Sequence, residues 1–283
     1  MDSDLVLRNQ IGISSQESLQ GLSEDEIIGL VKRFAIWPST DSYLIAPWIA
    51  RFALRRQRHR IDDRAPGEKR DLWGMPDEAG FFADDNSLLK STFKNLSISG
   101  RDNPYGNRTI TRGLVCCHIW PATTGNPVLF SFIPNLVWLP KSLSRFTDVF
   151  ADRPVHKVHY VLQELSYRRY RDLQVLTGFE DSKKAWKLLE RPDIGLAEDL
   201  PLNEMNTEPR LSRLVHQRHT RLKSFLDSAI EESPSVHGRF SKRYHLGHGS
   251  GIDKTVPPIT DLVSAEKLTE LRKIVIETFP IIF

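Results

Sequence analysis

Apolar residues recur with a helical period near the start of the chain. Ser23 precedes Glu26 by three positions, the spacing of a capping box, and Ile27, Ile28, Leu30, Val31 and Phe34 then form one apolar stripe. A turn at Trp37-Pro38-Ser39-Thr40 leads to a second predicted helix over 42–60, where Leu44, Ile45, Trp48, Ile49 and Phe52 keep that period. Pro47 either kinks it or marks its first turn. From 62 to about 106 the pattern weakens into polar, Gly- and Pro-containing sequence, with a short helix suggested only at 87–94.

The middle of the chain changes period. Residues 113–120 and 128–133 are rich in β-formers and flank Pro121-Ala-Thr-Thr-Gly-Asn-Pro127, which predicts a hairpin with a long loop. Pro134-Asn135 then opens a predicted helix over 136–148, with Pro140 suited to a first helical position and Leu143 and Phe146 on one face. The remainder reads as mainly helical, with helices predicted at 157–177, 182–189, 208–232 and 261–278. Residues 238–258, with Arg239, Lys242, Arg243, His245 and His248 among glycines, read as a basic loop.

Composition narrows the class. With 40% apolar and 27% charged residues over 283 positions, the chain is globular rather than disordered, and it is long enough for one enlarged domain or two closely packed ones. The opening MDSDLVLRNQ does not read as a secretory signal, and the longest apolar stretch, 43–54, is too short for a bilayer and is interrupted by Arg51. The two cysteines, Cys116 and Cys117, are neighbours, so no disulfide framework or four-cysteine zinc knuckle is available and a reducing cytoplasm is expected. The net charge of +3 is small, but eight Arg or Lys stand against three acids between Arg51 and Arg70.

The candidate chemistry lies in the middle segment. Cys117-His118-Ile119-Trp120-Pro121 ends a predicted strand, Asn135-Leu136-Val137 follows seventeen residues after the histidine, and the next predicted helix finishes Phe146-Thr147-Asp148. This combination resembles the HNH, or ββα-metal, nuclease family over Gly113–Asp148. The resemblance implies that His118 is a general base, that Asn135 bonds across the hairpin to hold the histidine-bearing loop, and that one Mg2+ or Mn2+ ion is bound. The positions it implies for metal ligands hold Cys117, Ser144 and Asp148. Asp148 is a hard oxygen donor suited to those ions, whereas cysteine is soft and serine weak. An imidazole titrates near neutrality, so it can accept a proton at cellular pH.

Each residue also has a plainer reading. His118 can be a hydrogen-bonded core residue, Asn135 a helix N-cap, and Asp148 a partner of Arg145. Cys116 and His118 share a strand face, so a thiol nucleophile is a further reading, though no third orienting group is visible in the sequence. Trp120 and Trp138 can stack on bases or fill a core.

Basic residues supply the substrate argument. Arg55, Arg56, Arg58 and Arg60 form one cluster, and Arg210, Arg213, Arg218, Arg221 and Lys223 another; either can meet phosphates or be a solvated helix face. Arg108, Arg112, Lys141 and Arg145 are nearer the candidate site in sequence and would clamp the scissile backbone. The expected fold is α+β, a small ββα-metal (HNH-like) core flanked by mainly helical N- and C-terminal regions, with divisions at 1–106, 107–150 and 151–283. The expected activity is divalent-metal-dependent cleavage of double-stranded DNA, in a restriction or modification-dependent defence role, with a homodimer if the target is palindromic. The alternatives are a non-catalytic DNA-binding protein with a degenerate module and, ranked below it, an RNA nuclease or toxin.

Overall fold

The computed structural model describes residues 1–12, 21–50, 53–55, 82–84, 96–100, 102–106, 109–121, 123–126, 128–148, 155–192, 202–205 and 208–230, with isolated positions elsewhere. The first helix, α1 (Ser3–Ile11), is capped by Asp2 and ends at Gly12 in the left-handed region; the sequence pattern did not reveal it. In α2 (Glu24–Phe34) the capping box forms as expected, and Ile27, Val31 and Phe34 are buried. Strand β1 (Ile36–Pro38) follows, where the sequence suggested a turn. Helix α3 (Thr40–Ile45) is far shorter than expected. Its last carbonyl-side neighbour, Ala46, is extended because a residue before proline is driven out of the helical region, so Pro47 ends the helix rather than kinking it. Arg55 therefore lies in a strand, β2 (Ala53–Arg55), paired in parallel with β3 (Phe82–Asp84).

The main sheet takes strands from widely separated parts of the chain. After β4 (Leu96–Ser99) and β5 (Thr109–Ile110) come β6 (Leu114–His118) and β7 (Leu136–Pro140), and much later β8 (Asn203–Met205). The order across the sheet is β5-β4-β8-β1-β7-β6. Its β8–β1 pair is parallel and every other neighbouring pair is antiparallel. The stretch up to residue 106 thus contributes strands as well as helices. The protein is a mixed α+β fold.

The predicted hairpin is present with a different second strand. Residues 128–131 are turns and Phe132 makes only an isolated bridge to Trp48, because the amides bond locally: Leu129 and Phe130 to the Asn126 carbonyl, and Phe132 to that of Leu129. Residues 136–140, predicted as helix, are the strand, with all five side chains buried and His118 registered opposite Leu136. An apolar run of this length fits either state, and pairing with β6 decides it. Pro140 precedes the helix it was expected to open, so α4 spans only Lys141–Ser144, continued by a 3-10 turn over Arg145–Thr147. Both pack back against the hairpin or its neighbours.

Helices α5 (Lys157–Tyr170), α6 (Glu180–Lys187) and α7 (Glu208–Ile230) match the predicted C-terminal helices closely, with a 3-10 segment at Asp172–Leu176 replacing the last turns of the first. The Tyr170 hydroxyl donates to the Pro38 carbonyl at 2.6 Å and Arg169 pairs with Glu204 at 2.7 Å, which ties α5 to the middle of the sheet. Trp37, Trp138, Tyr43, Phe34, Phe130 and Phe132 are among the largest fully buried side chains. Most of the predicted helices at 87–94 and 261–278, and all of the 238–258 loop, lie outside the described residues. Among those described, no helix is long and apolar enough to cross a membrane.

Candidate functional site

His118 closes β6 at the end of the hairpin that carries the long connection, and its side chain is half-buried. The ring stacks on Phe130, with centroids 5.5 Å apart and planes at 21°. Nε2 lies 2.8 Å from the Phe130 carbonyl oxygen. A carbonyl can only accept, so in the neutral ring Nε2 carries the proton and Nδ1 the lone pair. The connection between the two strands therefore fixes both the plane and the tautomer of the imidazole. His118 is not sealed in the core.

Asn135 organises that connection. It ends a 3-10 turn (Ile133–Asn135) immediately before β7, so it does not cap a helix. Its fully buried Oδ1 accepts from the Trp120 amide at 3.0 Å, and Nδ2 donates to Thr123 Oγ1 and the Leu129 carbonyl, both at 2.9 Å. The Thr123 hydroxyl in turn donates to the Trp120 carbonyl at 2.7 Å. Both amide hydrogens of the side chain are used, which rigidifies the residues just after His118. A second clamp comes from residues 47–50, where Trp48 Nε1 donates to the Val128 carbonyl and the Ala50 amide to Ser131 Oγ.

The three residues implied as metal ligands have different surroundings. Cys117 is buried, faces away from His118 by strand alternation, and its thiol points to the Val115 carbonyl at 3.6 Å. The Ser144 hydroxyl donates to the Lys141 carbonyl at 2.9 Å. Asp148 is exposed just beyond the 3-10 turn. Among the described residues no group of three or more His, Cys, Asp or Glu side chains is placed to hold a metal ion. Strand alternation turns the thiol into the core, and the serine hydroxyl is engaged on its own helix.

A second histidine reaches this region from α5. His159, in the first turn of α5, is 1% exposed, and its Nδ1 lies 2.6 Å from the Ile119 carbonyl. Gln163, one turn on, donates to the same carbonyl at 3.3 Å. Burial lowers the His159 pKa, against the opposing influence of the Ile119 and Thr147 carbonyls and the Asp148 carboxylate, so the ring is neutral. The available signal was a His and a Gln spaced i, i+4 on a face otherwise made of Val158, Leu162 and Leu165. Glu164, on a neighbouring position, is buried between Arg168 and Arg191 at 2.8 and 3.1 Å.

The described basic residues lie on different elements. Arg112 and Lys141 are exposed, but the Lys141 amide bonds to the Gly113 carbonyl at the opposite end of the hairpin from His118. Four strand steps separate the two ends, about 13 Å. The Arg145 guanidinium lies over the Phe146 ring at 5.4 Å. Arg56, Arg58, Arg60 and Arg108 fall outside the described residues. On α7, Arg213 and Lys223 are exposed and Arg210 is half-buried. Trp120 and Trp138 are core residues rather than base-stacking surfaces, at 6% and 2% exposure, and Cys116 is equally buried. No family model, curated protein or solved structure matches this chain.

Proposed function

We propose that the protein is a divalent-metal-dependent endonuclease acting on double-stranded DNA, with His118 as its general base. The observation that carries the reading is the held imidazole: a half-buried ring whose Nε2–H is anchored on the Phe130 carbonyl, leaving Nδ1 as its basic nitrogen, at the end of a connection fastened by Asn135. In this reading Nδ1 removes a proton from water as the oxygen attacks phosphorus. The P–O bond to the leaving oxygen breaks, and that oxygen takes a proton from solvent. A bound cation would stabilise the charge that develops on the phosphate oxygens. Asn135 never touches substrate; it positions the turn that follows the base. Arg112 and Lys141 would hold the backbone some distance from the scissile bond.

The test is cleavage of plasmid and of modified and unmodified genomic DNA in Mg2+ or Mn2+. His118→Ala is expected to lose roughly 10²- to 10⁴-fold in rate while binding DNA as well as the wild type. Equal cleavage by the variant refutes the assignment. A defence role, in restriction or in response to modified DNA, requires the two genomic substrates to be cut unequally.

One set of observations favours a second reading. Cys117 is packed in the core and the Ser144 hydroxyl is engaged on Lys141, which suits a non-catalytic DNA-binding protein that keeps the hairpin as a structural unit. Such a protein binds DNA in EDTA and never nicks it.

A further inference from the structure

We infer that the exposed face of α7 built from Arg213, His216, Thr220 and Lys223 docks the sugar–phosphate backbone of double-stranded DNA. The inference rests on duplex DNA being the partner, as in the proposed function, and it holds whether or not that DNA is cut. Between Glu208 and Asp227 the helix carries five Arg or Lys and no acid. Arg213, His216, Thr220 and Lys223 are spaced by three, four and three residues, so they line one side of the helix, and all four are exposed. Ser212 and Gln217, exposed beside them, add neutral hydrogen-bonding groups.

A solvated helix face ordinarily offsets its cations, and this protein does so on other helices. Arg8 pairs with Asp4 on α1, Arg168 with Glu164 on α5, and Lys183 and Lys184 with Glu180 and Asp181 on α6, each three or four residues apart. On α7 the pattern stops. Among the described residues neither Arg213 nor Lys223 has an acid partner, and Asp227 is engaged by Arg272. The excess charge is felt locally: burial lowers the His219 pKa, and the His216 and Lys223 charges lower it further. A run of like charges that no acid relieves is complementary to a polyanion.

The other side of α7 narrows the partner. Leu211 and Leu226 are fully buried, Val215 packs against the core, and the helix docks on α3. Its apolar side is therefore already used inside the fold. A helix that lies in a membrane surface needs that side for the acyl chains, whereas a phosphate backbone asks only for the polar one. From Arg213 to Lys223 the face runs about 15 Å, the length of roughly four base-pair steps, so its cations can meet successive phosphates. Contacts of this kind set affinity and orientation without reading sequence.

The experiment follows fluorescence anisotropy of a labelled duplex of arbitrary sequence as the full-length protein is added in EDTA, over a series of KCl concentrations. Arg213→Gln/Lys223→Gln should bind roughly tenfold more weakly at low salt, by a similar factor on every duplex, with a slope of log affinity against log salt shallower by about 2. Lys183→Gln/Lys184→Gln, which removes the same charge from the paired face of α6, should stay within about twofold of the wild type. All four side chains are exposed or on the rim of their helices, so thermal melts should coincide with the wild type. Should the α7 double variant melt lower, its two single substitutions, each expected to reduce the slope by about 1, decide the matter. Wild type that binds no duplex, an α7 variant that keeps the wild-type affinity and slope, or an equal loss in the α6 variant overturns the inference. Tighter α7-dependent binding to single-stranded RNA, or to vesicles of phosphatidylserine and phosphatidylcholine in equal parts, overturns duplex DNA as the occupant. Cleavage lost in His118→Ala, with DNA affinity unchanged in the α7 variant, overturns the face and keeps the nuclease. Binding that depends on α7 as described, in a protein that cuts no DNA with any ion, keeps the face and overturns the nuclease.

Discussion

The two ends of the β6–β7 hairpin are built from similar parts and finished differently. At the Pro140 end the polar groups are paired between elements far apart in the chain. Asp4 of α1 accepts from both the amide and the hydroxyl of Ser142 at 2.8 Å, which caps α4, and from Arg8 at 3.2 Å. Gly113, with φ of 82°, lets Asp2 and Ser3 approach so closely that a Cβ would overlap the Asp2 carboxylate. At the His118 end Asn135 draws its partners from the connection between the two strands, which holds the turn after the histidine. Long-range pairing marks the end that docks the N-terminus. Pairing within the connection marks the end that holds the imidazole.

The strongest way to break this contrast is Asn135→Ala. It strands the Trp120 amide and the Leu129 carbonyl in the core, and should cost roughly 3 kcal/mol in urea denaturation. Cleavage per folded molecule should fall too, because the turn after His118 loosens. Gly113→Ala acts at the other end, where a positive φ and the Asp2 contact together should cost roughly 2 kcal/mol in the same measurement. Its surviving folded fraction should cut DNA at the wild-type rate. Asp4→Ala removes the cap of α4 and should cost about 1 kcal/mol, again with unchanged specific activity. A cleavage defect in either variant larger than its loss of folded protein would erase the division of labour between the ends.

The smallest effect concerns acid. Burial raises the Glu164 carboxyl pKa, but the hydrogen bonds from Arg191 and Arg168 outweigh it and the net shift is downward. A folded pKa below the unfolded one means the contribution is complete above the ordinary value of 4.5 and disappears as pH falls through the folded value. Thermal melts of wild type and Glu164→Gln should therefore converge in acid. Parallel curves across that range would show that the pair adds nothing to stability, though the hairpin contrast would survive.

Local signals carried part of the fold into the sequence. The Ser23/Glu26 capping box, the first strand of the hairpin and the long C-terminal helices are each encoded by residues close together in the chain. Strands β1 and β8 were illegible because three residues such as Ile-Trp-Pro or Asn-Glu-Met have no period to detect; they are strands because each completes the other in parallel. The exchange of state between residues 128–133 and 136–140 has the same origin. Both are apolar runs, and the local bonds to Asn126 curl the first while β6 claims the second. In the candidate site, the spacing of His118 and Asn135 could be read directly, and the Asn135 carbonyl accepts from the amide of Ile119, the residue after His118. His159 could not be placed there from sequence, since only the docking of α5 brings it to the Ile119 carbonyl.

The insertion of β8 between β4 and β1 has a consequence for synthesis. Until Asn203–Met205 emerges from the ribosome, the nascent chain holds two separate half-sheets, β5-β4 and β1-β7-β6, whose facing edges have no partner. Open edges of this kind invite pairing with other chains, and closing them across so long a sequence separation is slow. Translation pauses upstream of that strand would thus prolong the most aggregation-prone moment in the life of the polypeptide.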